Sequence, residues 1–392
     1  MKDLKIFAKT VDDKAKAQID LLLEQKAFAH CKVRIMPDVH AGAGCVIGFT
    51  ANLGDKVIPN IVGVDIGCGM YCCPIGKGEI DCKRLDDVIR RKIPAGMNVH
   101  SVSLGGFDLT KLYCYDRLRN KDWLTASLGT LGGGNHFIEV DEDKEGYKYL
   151  VIHTGSRNLG KQVADIYQQI AIETLNSNKA DIQALIDKLK SEGRHTEIAA
   201  AIADAKKAKK DVPPNDLCYL EGEDREKYLH DMRLCQEFAR RNREEIASVI
   251  CREMPFEDTC EEDAFHTVHN YIDDDNMVRK GAISAHYQEP LLIPINMRDG
   301  CILGFGKGNE DWNFSAPHGA GRIMSRMEAK RKITLGSYED AMSGIFTTSV
   351  GFDTLDEAPQ AYKPMAEIVE CIKDTVEIVS IIKPVYNFKA AD

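Results

Sequence analysis

The 392-residue sequence has no apolar run near the twenty residues a membrane span needs. Its start, Met1-Lys2-Asp3-Leu4-Lys5, lacks the apolar stretch of a secretory signal. Together these absences lead us to expect a cytoplasmic protein with no membrane partner. No Cys-x-x-Cys pair occurs, which disfavours a structural zinc ribbon. The 13 cysteines are odd in number and sit in a long chain, so reduced, mostly buried thiols are expected rather than a disulfide framework. Excess positive charge is missing too: the net charge of −10 by itself counts against a polyanion partner, though not against a local basic groove. Several nucleotide signatures are absent, including Gly-x4-Gly-Lys-Ser/Thr, Lys-x-Asp-Gly and His-x-His-x-His. If a nucleotide becomes attached covalently, histidine is then the better candidate.

What is present describes a globular chain, 44% hydrophobic and 29% charged, long enough to bury a large core. Short β-rich segments broken by glycine open it. Val33–Met36 runs into Pro37, and Val57-Ile58, Ile61–Val64 and Lys148–Ile152 are further strand candidates. Between about 161 and 252 the pattern becomes helical, interrupted at Pro213-Pro214. We read this as an insertion, because chemistry-bearing motifs lie on both sides of it. Strands return at Ala282–Ala285 and Leu291–Ile293, followed by helices from Arg322 and from Met365. The fold class is α+β, a single large domain over residues 1–392 with a helical insertion.

Two constellations carry chemistry. Gly63-Val64-Asp65-Ile66-Gly67-Cys68-Gly69 places a carboxylate and a thiol on a glycine-flanked turn. His136 follows Gly132-Gly133-Gly134-Asn135, His153 ends a strand before Thr154-Gly155-Ser156, and His269 lies near the end of the helical insertion. A lone histidine is usually structural. Histidines at strand ends and glycine turns beside an Asp/Cys loop suggest ligands gathered at one sheet edge, fit for zinc, iron or manganese. The second constellation is Pro317-His318-Gly319-Ala320-Gly321-Arg322. There a helix N-terminus would favour phosphate, and Arg322, Arg326 and Lys330 recur every four residues. A solvated basic helix is the commoner fate of such spacing. A histidine poised at the anion site favours imidazole attack on phosphorus.

These motifs, with Pro37-Asp38-Val39-His40, His269-Asn270-Tyr271, Arg279-Lys280-Gly281-Ala282, Glu357–Lys363 and Asn387-Phe388-Lys389, occur in an order that strongly resembles the RtcB family of GTP-dependent RNA-splicing ligases. The resemblance implies joining of RNA 3′-phosphate or 2′,3′-cyclic phosphate ends to 5′-hydroxyl ends, with GTP and two Mn2+ ions. It implies metal ligation by Asp65, Cys68, His136, His153 and His269, with Cys68 bridging, and a GMP–histidine intermediate on His318. Asn135, Glu139, Gly319, Gly321, Tyr362 and Lys389 would line the guanylate pocket, and Arg157, Arg322 and Arg326 would bind phosphates. Where many relatives have Gly-Ser-Met-Gly, this chain has Ile295-Asn296-Met297-Arg298-Asp299, so Asn296 or Arg298 would replace a serine contact. An archease-like activator is a further implied partner. The competing readings are a metal-dependent 2′,3′-cyclic phosphodiesterase and a catalytically inactive RNA-binding relative.

Overall fold

Segments rich in β-branched and aromatic residues build three sheets, and helices cover them. The computed structural model describes residues 3–176, 179–207, 212–256 and 261–390; the helical reading at 177–178 and 208–211 lies outside them. The described strands begin with β1 Asp3–Ile6, β2 Lys32–His40, β3 Ile47–Asn52, β4 Gly69–Pro74, β5 Phe137–Glu142 and β6 Lys148–Thr154. They continue with β7 Phe265–Val268, β8 Asn270–Ile272, β9 Met277–Lys280, β10 Ala282–Ser284 and β11 Pro290–Asn296. The last four are β12 Gly300–Gly306, β13 Ser315–Pro317, β14 Phe346–Thr347 and β15 Val376–Lys389.

One sheet has the order β1-β2-β3-β9-β8, a larger one β11-β12-β15-β5-β6-β4-β7 with β14 beside β15, and β10 pairs with β13. The class is therefore α+β, as the sequence implies. Residue 269 is the single step between β7 in the large sheet and β8 in the five-stranded one. Asp38 lies on β2 and His318 directly follows β13, so the residues of interest converge where the sheets meet.

The segment read as helical contains helices Arg157–Asn176, Lys179–Ser191, Ile198–Lys207 and Gly222–Glu253. The last buries a stripe of residues at helical spacing, including Met232, Cys235, Phe238, Ala239, Asn242, Arg243 and Ile246. It braces the site through its polar members. The Asn242 side chain accepts from the amides of Gly129 and Thr130 and donates to the carbonyls of Thr130 and Gly155. Arg243 donates to the carbonyls of Gly67 and Thr154 at 3.0 and 2.9 Å.

Four local expectations change. Ile61–Val64 is not a strand: Pro59 occupies the first turn of a short helix, Pro59–Val62, because its fixed φ suits that position. The Asp65–Cys68 turn thus precedes strand β4 rather than following one. Pro37 does not end its strand; β2 continues to His40, and the pairing with β3 shifts register between Ile35 and His40, where a missing N–H is tolerated. The helix expected from Arg322 begins at Arg326, since the Ser325 side chain caps it and Arg322 pairs with Tyr362 in an isolated bridge. His269 belongs to a strand junction, not to the helical segment.

Candidate active site

The Asp65–Cys68 turn is closed by Cys68 N–H donating to the Asp65 carbonyl, and is tied to the neighbouring strands. Gly67 N–H donates to Asn270, and His269 N–H to the Cys68 carbonyl. Gly155 is needed beside it, because a Cβ there would lie 2.3 Å from Asp65 Oδ1. The glycine of His-Thr-Gly-Ser therefore makes room for the carboxylate.

Cys68 Sγ lies 3.5 Å from His136 Nε2 and 3.4 Å from His153 Nε2, and His136 Nε2 lies 3.1 Å from Asp65 Oδ2. Two donors of one tetrahedral ion, at ordinary metal–sulfur and metal–nitrogen lengths, sit about 3.5 Å apart. The outward nitrogens are held by carbonyls: His136 Nδ1 at 2.9 Å from the Leu131 oxygen, His153 Nδ1 at 3.2 Å from the Asn135 oxygen. That pattern protonates Nδ1 and aims each Nε2 lone pair at the centre, as metal-ligating histidines are oriented. Two potential donor sets result, Asp65/Cys68/His136 and Cys68/His153/His269, which share the thiol. The buried oxygen Asp65 Oδ1 and the nitrogen His269 Nδ1 have no protein partner.

The electrostatics agree with a cation at this place. Burial, then the Asp65 charge, pushes the Cys68 thiol well up. Burial, then neighbouring histidines, holds His153 and His269 well below the usual imidazole value, in the neutral form that ligates metal. The residues present therefore fit a metal pair, which would also draw the proton from Cys68.

His318 stands against this centre, its ring 4.8 Å from that of His269. Its Nδ1 lies 2.6 Å from Asp38 Oδ2, and its backbone N–H donates to the same oxygen at 3.2 Å. Asp38 is completely buried. Gly321, at φ +76, packs so closely on β2 that a Cβ would stand 2.4 Å from the Asp38 carbonyl oxygen. His318 lines two cavities. One, of about 570 Å³, reaches Asp65, Cys68 and His269. The other, of about 740 Å³, takes in Asn135, Glu139, Asn296, Gly319, Gly321, Tyr362 and Lys389.

Glu357 organises the far wall of the larger cavity. It pairs with Lys389 Nζ at 2.7 Å and Arg326 at 2.6 Å, and accepts from the Tyr362 hydroxyl at 2.5 Å. Burial would raise this carboxyl, but Lys389 and Arg326 outweigh it and bring Glu357 down to about 2. Arg322 joins the same group, donating to Tyr362 Oη at 3.1 Å, and Lys330 pairs with Asp356 at 3.3 Å. The free basic groove expected from spacing is therefore a neutralised network, because Asp356 and Glu357 are buried among those cations.

Arg157 and Arg298, like His136 in the donor centre, line neither cavity. Arg157 turns inward to Thr130 Oγ1 at 3.0 Å and the Gly96 carbonyl at 2.8 Å. Arg298 pairs with Asp299, while its neighbour Asn296 does line the larger cavity. Asp38 and Glu357 fall within the recognised motifs, but neither spacing nor residue type shows which side chain they meet.

The family model described as tRNA-splicing ligase RtcB matches residues 23–112 and 112–390. The chain is 28% identical to RNA-splicing ligase RtcB1 of Escherichia coli strain ATCC 25922, covering 98% of this chain and 97% of that protein. RNA-splicing ligase RtcB of E. coli K12 is 27% identical over the same shares. The tRNA-splicing ligase RtcB of Nanoarchaeum equitans is 27% identical, over 91% of this chain and 87% of its own length. With nearly the whole chain matched, and the thiol, imidazoles and His318 gathered at one junction of sheets, the protein belongs to the RtcB family.

Proposed function

We propose that this chain is an RNA ligase that joins a 3′-phosphate or 2′,3′-cyclic phosphate end to a 5′-hydroxyl end by way of GMP on His318. The observation that carries the reading is the placement of His318. It borders both the donor centre and the larger cavity, with Nδ1 held by Asp38, so that Nε2 carries the lone pair. Asp65, Cys68, His136, His153 and His269 would hold two divalent ions, manganese on the family resemblance, whose charge would offset that of the phosphates.

His318 Nε2 forms a bond to the α-phosphorus of GTP as the bond to pyrophosphate breaks. Asp38 accepts a hydrogen bond from Nδ1–H and stabilises the positive charge that the ring acquires. An oxygen of the RNA 3′-phosphate then takes the guanylyl group and frees the histidine. Finally the 5′-hydroxyl oxygen attacks the 3′-phosphorus, GMP departs with the bonding pair, and the hydroxyl proton passes to solvent. A cyclic end is first opened by water. Asn135, Glu139, Tyr362 and Lys389 would hold the guanylate. Asn296 would stand in for the missing serine. Arg157, Arg322 and Arg326, in phosphate contact on this reading, would have to leave their present partners. An archease-like activator and a cytoplasmic setting belong to the same proposal.

Incubation with Mn2+ and α-labelled GTP should leave an acid-labile label that His318→Ala abolishes, and a cyclic-phosphate RNA should be joined. Opened but unjoined strands with GTP present would identify a phosphodiesterase. Tight RNA binding without label or turnover would identify an inactive binder.

A further inference from the structure

Alternation along β5 puts Phe137, Glu139 and Asp141 on one face of the large sheet. Register shifts on both sides of β15, at Leu303/Gly304 and at Pro384/Tyr386, accompany the approach of Cys301 on β12 to that face. Donor atoms of Glu139, Asp141 and Cys301 come within 4.8 Å of one another. All three residues are buried, Asp141 and Cys301 completely. The surroundings are apolar, with Met70, Phe137, Val151, Leu292 and Ile382 packed around Cys301.

Asp141 is the anomaly. Neither of its carboxylate oxygens meets a nitrogen or oxygen donor, although no part of the residue reaches solvent, and only the Cys301 thiol bears on it as a weak donor. The groups acting on it are burial, the like charge of Glu139, and the Cys301 thiol. Glu139, in contrast, accepts from Asn387 Nδ2 at 2.5 Å and feels the charge of Lys389. A fully buried carboxylate without a nitrogen or oxygen donor is costly in either protonation state, and it is tolerated when it coordinates a metal.

The geometry points to a further metal site, formed by Glu139, Asp141 and Cys301, that takes a zinc-class divalent ion in a closed, structural setting. A thiolate combined with carboxylates selects that class over magnesium or calcium, and the absence of solvent suits a structural ion. On binding, Cys301 releases its thiol proton to solvent, and Asp141 can offer both free oxygens. Three ligand charges then face an ion of two, and Lys389, itself paired with Glu357, offsets part of the excess beside Glu139. Because Glu139 also lines the larger cavity, the ion would fix one wall of that cavity. None of the residues is shared with the Cys68 centre.

The test uses chelator-stripped protein titrated with Co2+, whose bond to a thiolate absorbs in the near ultraviolet. A Cys68→Ser background removes thiolate from the first centre. The expected band persists in Cys68→Ser and vanishes in Cys68→Ser/Cys301→Ser. In Cys68→Ser/Asp141→Asn it should need at least about tenfold more Co2+. A band that survives in Cys68→Ser/Cys301→Ser overturns the site, as does its absence from a Cys68→Ser protein with wild-type circular dichroism. If Cys68→Ser does not fold, elemental analysis decides: Cys301→Ser must carry one metal ion fewer per chain than wild type, and equal content overturns the proposal. Neither readout involves GTP or ligation, so each proposal stands or falls separately.

Discussion

Asp38 Oδ2 and His318 Nδ1 lie 2.6 Å apart, with the carboxylate on one sheet and the imidazole on the turn that follows another. This contact selects the tautomer whose free lone pair is on Nε2. Asp38→Asn keeps the shape but can present an amide N–H to Nδ1 and favour the wrong tautomer. Histidine guanylylation should slow by about 100-fold or more, with metal content unchanged. A variant labelled as fast as wild type would remove Asp38 from the mechanism.

Cys68 and His318 should separate metal binding from covalent chemistry. His318→Ala should abolish guanylylation and retain metal, since the ring packs at a tilt against His269 without belonging to either Cys68 donor set. Cys68→Ala removes the donor common to both sets and should lose the ions of that centre and labelling together. Elemental analysis beside the labelling assay distinguishes the two outcomes.

Gly155→Ala tests the space around Asp65. The added Cβ would stand 2.3 and 2.5 Å from the two carboxylate oxygens, so the carboxylate must move. Metal affinity should fall by about 10- to 100-fold, the range seen when ligand orientation is lost. Isothermal titration of stripped protein with Mn2+ measures it, and unchanged affinity would show that Asp65 is not a ligand.

Asn242→Ala leaves the buried amides of Gly129 and Thr130 without their acceptor. The cost should be about 2–4 kcal/mol, read as a lower urea midpoint. A loss below about 0.5 kcal/mol would mean that the loop rearranges freely.

Glu139 gives a pH dependence. Burial raises its carboxyl to about 7, partly opposed by Asn387 and Lys389. Because the folded value lies above the unfolded one, the folded chain binds the extra proton between about pH 4.3 and 7. This contribution to stability is complete below that window and is lost as pH rises through it. In chelator-stripped protein the urea stability should fall across the window, and Glu139→Gln should flatten the slope. A wild-type slope unchanged by the substitution would refute the assignment.

Much of the site was legible before any coordinates. Asp65, Cys68, His136 and His153 stand beside glycines or strand ends, where local backbone rules place a side chain at a sheet edge. The order of short motifs carried the family. Local signals were weaker where two readings compete over a few residues. Ile61–Val64 is apolar enough for a strand, yet Pro59 starts a helix there, and Ser325 moves a helix start past Arg322.

By itself, the sequence determined the fold class, the helical stretch, the family and the identity of the candidate ligands, because these depend on residue type, periodicity and order. The tertiary structure alone decided that Asp38 meets His318, that Glu357 gathers Lys389, Arg326 and Tyr362, and that Asp141 is buried beside Cys301 without a nitrogen or oxygen donor. All but the Glu357–Tyr362 contact join residues more than thirty positions apart, most on different elements. Pairing of that kind is set by sheet order, register and the closeness of backbones, none of which spacing along the chain encodes.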